Sequence, residues 1–285
     1  MDYKKPAEVV ELMIQSGTDK IKLSPTDLMI RGILSGAMLG FGTTLAITAT
    51  SQTGLPIVGA LIFPACFVIV VVMGLELVTG SFAILPAAYF DKKIGFSAMM
   101  KNLLLVFIAN LFGGLLYAVL FWISLTSFGQ INETPLAAAI IKIAEAKTTG
   151  YSHFGNAGMI TVITKGILCN WMVTMGVVMS LTSSSTLGKI LAAWIPVFIF
   201  FAQGFEHAVV NMFVIPAGML MGAKVTVGDW WLSNQLPVTL GNIIGGVIFT
   251  ALALYITHGR NKEAANVSIA TTNTDISVSP ADVII

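Results

Sequence analysis

The sequence predicts an all-α integral membrane protein: six transmembrane helices in two inverted three-helix repeats, with spans 2 and 5 broken. Three observations lead there. The first is composition. Of 285 residues, 56% are hydrophobic and only 10% charged, against about 25% charged in a soluble domain, and the mean hydropathy is +0.87. The second is a pair of tetrapeptides, Gly74-Leu75-Glu76-Leu77 and Gly204-Phe205-Glu206-His207, each interrupting a long apolar run. A carboxylate in hydrocarbon costs about 2.5–3.5 kcal/mol on insertion scales, so each glutamate needs a partner and a role. The third is an internal echo. Gly32-Ile33-Leu34-Ser35 returns as Gly166-Ile167-Leu168-Cys169, and Asn110-Leu111-Phe112-Gly113-Gly114 returns as Asn242-Ile243-Ile244-Gly245-Gly246. Together with the Gly-x-Glu pair, these matches keep one order and nearly one offset. Three spans per half oblige the second half to enter the bilayer in the opposite sense, which inverts the repeat.

The elements follow in order. Residues 1–26 are polar and mildly amphipathic, which predicts a helix around Lys5–Ser16 and no cleavable signal peptide. A span needs about 20 apolar residues. Such stretches lie near 28–50, 57–90, 97–126, 158–182, 189–222 and 235–257. The second and fifth are too long for one crossing, and each contains its Gly-x-Glu break. Repeat A is therefore expected over about 28–126 and repeat B over about 158–257, within a single transmembrane domain, 1–260. The Ser/Thr/Asn/Ala-rich tail, 261–285, is expected to be disordered and cytoplasmic. Six crossings put Lys4, Lys5, Lys20, Lys22, Arg31, Lys92, Lys93, Lys101, Lys189, Arg260 and Lys262 on one side, and Lys142, Lys147 and Lys224 on the other. The positive-inside rule then places both termini in the cytoplasm, as expected for the plasma membrane.

Several function classes are excluded at this level. A formal net charge of +1 offers nothing to nucleic acid. Cys66 and Cys169 sit in apolar runs without metal-ligand spacing and read as small core residues, so neither a metal nor a cofactor is expected. The spans hold no Asp pair and no His-Glu-x-x-His motif, which argues against an intramembrane enzyme. Asn-Pro-Ala, the mark of water and polyol channels, is absent. The glycines are structural first: Gly32, Gly36, Gly40 and Gly42 on one helix, and Gly113, Gly114, Gly245 and Gly246 on two others, let helices approach closely.

Chemistry concentrates at the breaks. Unwound backbone in a bilayer must be buried in protein or line a wet cavity. Gly74 and Gly80 supply permissive dihedrals around the first break, and Thr79 and Ser81 offer hydroxyls to an anion or to loose backbone groups. At the second break, a helix restarting near His207 would set His207 and Asn211 on one face, with an N-terminus that favours anions. Histidine is the side chain that changes charge near neutral pH. Glu206 reads as a structural partner for freed backbone amides rather than an acid catalyst. Lys165, about two turns inside the fourth span, is expected to snorkel to the outer interface, the alternative being a pairing with a polar group in the vestibule.

Four stretches together resemble the formate/nitrite transporter family: Phe205-Glu206-His207-Ala208-Val209-Val210-Asn211-Met212-Phe213, Pro237-Val238-Thr239-Leu240-Gly241-Asn242-Ile243-Ile244-Gly245-Gly246, Gly74-Leu75-Glu76-Leu77-Val78-Thr79-Gly80 and Lys165-Gly166-Ile167-Leu168-Cys169-Asn170-Trp171. The resemblance covers about residues 5 to 260. It implies an aquaporin-like protomer in a homopentamer, each protomer with its own pore for a small monovalent anion and protons. His207 looks like the family's central pore histidine with Asn170 beside it, and Thr79 like the threonine on the broken second helix. Lys147 looks like the lysine of the outer vestibule. Phe63, Phe67 and Phe200 fall at or near the apolar constrictions, although some members carry a smaller aliphatic residue where Phe67 stands. The substrate so implied is formate or nitrite; hydrosulfide, acetate or lactate on the same scaffold is the alternative.

Overall fold

The structure, a computed structural model, describes residues 2–131 and 133–259; the expected tail at 261–285 and the cations Arg260 and Lys262 lie outside the described residues. The described residues are helical, apart from connecting turns and one isolated bridge between Tyr3 and Ser183. Four helices are long and apolar enough to cross a membrane: α2 (Pro25–Thr53), α6 (Phe96–Thr126), α9 (Gly155–Ser180) and α12 (Val227–Gly259). Between them lie shorter apolar helices: α3 (Pro56–Ile62) running into α4 (Pro64–Val72), α5 (Val78–Phe90), α10 (Thr186–Ala202) and α11 (Ala208–Leu220). The chain is a multi-pass membrane protein.

Local chemistry explains most boundaries. Proline opens α2, α3, α4, the N-terminal helix α1 (Pro6–Lys20) and α7 (Pro135–Lys147), where its fixed φ suits the first turn and its missing N–H costs nothing. Ser24, Thr134 and Ser185 cap α2, α7 and α10 by accepting from the backbone three residues on. The sequence pattern does not predict α7. Its buried residues, Ala137, Ile140 and Ala144, are too small and too few to stand out as an apolar stripe. A four-residue helix, α8 (Thr149–Ser152), links it to α9.

Glycine decides how closely the long helices approach. On α6, a Cβ at Gly113 would land on the Ile33 carbonyl of α2; on α12, one at Gly245 would land on the Ile167 carbonyl of α9. Gly113→Ala is expected to push α2 and α6 apart and cost about 1–3 kcal/mol, as overpacking generally does. A thermal melt of the detergent-solubilised variant, unchanged from the parent, would refute this.

α1 is wider than the expected Lys5–Ser16 and packs against α5, burying Val9, Val10 and Met13 with Ala83, Ile84 and Ala87. Its lead-in segment is pinned to the α9–α10 turn. Asp2 accepts from the Ser184 and Ser185 amides at 2.6 and 2.9 Å and from the Ser183 hydroxyl at 2.7 Å. The Ser183 hydroxyl and the Ser184 amide hold the Asp2 carboxyl down at about 2, against an ordinary 3.8. A depressed carboxylate stabilises the contact above its unfolded value and loses that contribution as pH falls through the folded one. Amide exchange at Ser184 and Ser185 should therefore stay protected above pH 3.8 and open as the pH approaches about 2. Protection that persisted in Asp2→Ala would show that Asp2 does not hold the turn.

Candidate functional site

Two unwound segments, residues 73–77 and 203–207, each run from an exposed glycine turn to a buried glutamate and are bonded in the same way. Gly74 and Gly204 turn the chain at φ +62° and +65°, a region where a Cβ is strained. Two residues on, Glu76 donates its amide to the Arg31 carbonyl of α2 at 3.4 Å, and Glu206 donates to the Lys165 carbonyl of α9 at 3.3 Å. Asn110 then secures the first segment: its Oδ1 accepts from the Val78 amide at 2.9 Å, and its Nδ2 donates to the Glu76 and Gly32 carbonyls at 2.8 and 2.9 Å. Asn242 secures the second through the Ala208 amide at 2.9 Å and the Glu206 and Gly166 carbonyls at 3.0 and 2.8 Å. The asparagines, visible in the sequence only as part of an echo, are thus what makes an open backbone tolerable away from water.

The glutamates face ion-pair partners. Glu76 pairs with Lys20 at the end of α1, 2.6 Å away, and Glu206 with Lys147 at the end of α7, 2.7 Å away. Glu206 also accepts from Tyr151 at 2.9 Å and Asn211 at 2.8 Å. This corrects the expectation that Glu206 would serve freed backbone amides. Asn242 has that task, and the carboxylate is satisfied by side chains. Asn211 likewise belongs to this cluster, donating to Glu206 and to Asn234. Lys165 lies 5.6 Å from the centre of the Tyr151 ring, a cation–π contact.

The centre is formed by His207 and Thr79. His207 caps α11: its Nδ1 accepts from the Val210 amide at 3.1 Å. An accepting Nδ1 leaves the proton of the neutral ring on Nε2, which donates to Thr79 Oγ1 at 3.0 Å. The hydroxyl hydrogen of Thr79 is then available to a further acceptor. Phe200 lies nearly parallel to the imidazole, with centroids 5.8 Å apart, and Phe63 meets Phe200 edge-on at 5.9 Å. Asn170 is beside this centre but is turned to the backbone, donating to the Thr79 and Asn242 carbonyls at 3.1 and 2.7 Å.

Two cavities approach the centre from opposite ends of α2. One, about 550 Å³, is lined by Lys142, Lys147, Thr50, Phe200 and His207. The other, about 480 Å³, is lined by Lys20, Arg31, Lys189, Glu76, Ser81 and Phe67. Phe63, Phe67 and Phe200 are all buried. The arrangement offers cations in each cavity, a plug of aromatic rings between them, and one imidazole–hydroxyl pair at the plug. Nothing in the sequence pattern singles out Lys20, Tyr151 and Asn234 for the site. Lys20 reads there only as a cytoplasmic charge, and the other two lie in stretches with no internal echo.

A family model for formate/nitrite transporters matches residues 7–256. The chain is 31% identical over 271 residues to a probable formate transporter of Methanothermobacter thermautotrophicus, spanning 90% of this chain and 97% of that one. Among solved structures it resembles an FNT family ion channel, with a TM-score of 0.77, 26% identity and coverage of 87% of this chain and 98% of that one. It shares its fold with a pentameric formate channel with formate bound, with a TM-score of 0.67 and 21% identity over 83% and 98% of the two chains.

Proposed function

The chain belongs to the formate/nitrite transporter family, whose members are transporters rather than enzymes, and on that premise we propose that it carries formate or nitrite across the plasma membrane through a pore in each protomer of a homopentamer. In this reading the four long helices are full crossings. The pairs Pro56–Val72 with Val78–Phe90 and Thr186–Ala202 with Ala208–Leu220 are two further crossings, broken at the glutamates. The two halves form inverted repeats with both termini cytoplasmic. The shared asparagine and glutamate bonding of the two breaks supports the repeat.

The observation that carries the function is the His207–Thr79 pair at an aromatic plug between two cationic cavities. Lys142 and Lys147 line the outer cavity and raise the local concentration of a small anion, an effect that salt screens. Stripping water from the anion at Phe200 and Phe63 is costly unless its charge is removed or offset. Thr79, whose oxygen already accepts from His207 Nε2, is free to donate its own hydrogen to an anion oxygen. A proton arriving with the anion is taken up at Nδ1 as the Val210 amide is released, and passes on through Nε2 and the Thr79 hydroxyl. The anion is thereby neutralised and crosses the rings as the weak acid. Neutralisation links transport to pH.

Proteoliposomes test this with formate, nitrite, hydrosulfide, acetate and lactate compared across about pH 5 to about 8, the window in which histidine and proton supply matter. Formate or nitrite flux is expected to rise on acidification. Flux that ignores pH rules out proton coupling, and flux of hydrosulfide alone keeps the scaffold while replacing the substrate.

A further inference from the structure

The two glutamate clusters differ in two places: Glu206 has a tyrosine donor, Tyr151, that Glu76 lacks among the described residues, and a second difference creates a site for a small molecule. Asn234 donates to the Lys147 carbonyl at 2.8 Å, and Asn102 donates to the Lys20 carbonyl at 3.1 Å, so lysine, glutamate and asparagine correspond in both clusters. The correspondence fails five residues after each glutamate, where Asn211 stands in one and Ser81 in the other. Asn211 Nδ2 uses its two hydrogens to bridge Glu206 Oε2 and Asn234 Oδ1, each at 2.8 Å. Serine is shorter and has one hydrogen. Ser81 Oγ and Asn102 Oδ1 are both buried without a hydrogen-bond partner among the described residues, and each residue is at most 3% exposed.

We propose that a water molecule binds between Ser81 Oγ, Asn102 Oδ1 and the Glu76 carboxylate, replacing the two hydrogens that the Asn211 amide supplies in the other cluster. It accepts from Ser81 and donates to Asn102 and Glu76, three bonds in all, the usual number for a buried water. The donor set excludes the alternatives. An anion would face a carboxylate and an amide oxygen. A metal cation would lie against the Lys20 ammonium, itself 2.6 Å from Glu76 Oε2, and needs more oxygen ligands than these. The inner cavity, lined by Glu76 and Ser81, is the route of entry. Glu76 then has a water where Glu206 has the Asn211 amide, while the two lysines are equally exposed, at 19% and 20%.

The test is a high-resolution structure of the full chain in nanodiscs, with Ser81→Asn and Ser81→Ala beside it. A solvent peak within hydrogen-bond reach of Ser81 Oγ and Asn102 Oδ1 is expected in the parent. It should be lost in Ser81→Asn, with the new amide on Glu76 and Asn102, and weakened in Ser81→Ala. A parent map with no peak there and the Ser81 hydroxyl on the Leu77 carbonyl overturns the proposal. So does a peak of unchanged strength in both variants, which would show that Ser81 does not hold it. Should Ser81→Asn fail to fold, the parent and Ser81→Ala maps still decide. None of these outcomes depends on which anion is carried.

Discussion

Asn242→Leu is expected to lose most of the folded protein. Leucine matches asparagine in size but removes three bonds at once. The Ala208 amide loses its acceptor, and the Glu206 and Gly166 carbonyls each lose a donor. These groups lie where water does not compensate, and each one left unpaired costs about 1–3 kcal/mol. The sum approaches the whole stability of a typical domain, about 5–15 kcal/mol. Asn110→Leu should be equally damaging, since it holds the Val78 amide and the Glu76 and Gly32 carbonyls in the same way. Size-exclusion profiles after a heat step measure both. A variant that melts with the parent would mean that the unwound segments are held by something other than these amides.

His207→Phe is expected to abolish anion flux without preventing assembly. Phenylalanine keeps an aromatic surface against Phe200, but it removes the donor to Thr79 and the acceptor for the Val210 amide. Loss of the cap alone costs about 0.5–2 kcal/mol, so the melting temperature should fall modestly while flux falls to the level of empty liposomes. His207→Asn separates the two effects. Asparagine is among the best capping residues and should recover the stability, yet it lacks the imidazole and should not recover flux. Full flux through His207→Phe would sink the proposed role of the ring, whatever the substrate.

Much of this architecture is legible in the amino-acid sequence. The spans near 97–126 and 158–182 lie within a few residues of Phe96–Thr126 and Gly155–Ser180, because a long apolar run must be helical in a bilayer. The last helix begins earlier than its expected 235, at Val227. Its first turns, with Asp229, Asn234 and Gln235, are too polar to read as a span and are held through specific bonds such as Trp230 to Gln235. The breaks are visible as Gly-x-Glu. Their partners are not, since Lys20 and Lys147 lie 56 and 59 residues before their glutamates and nothing local joins them.

By itself, then, the sequence determined the membrane class, the echo between its halves and the two Gly-x-Glu interruptions, and it drew attention to His207. Each follows from periodicity, hydropathy or a residue type that is expensive in lipid. Only the tertiary structure decided which side chain serves which group. It gave the backbone of the breaks to Asn110 and Asn242, gave Glu206 to Lys147 and its neighbours, and set His207 as both a helix cap and the donor to Thr79. The reason is physical. The cost of burying a polar group is a property of the residue and can be read from the chain, whereas its compensation comes from whichever partner the packing brings within about 3 Å.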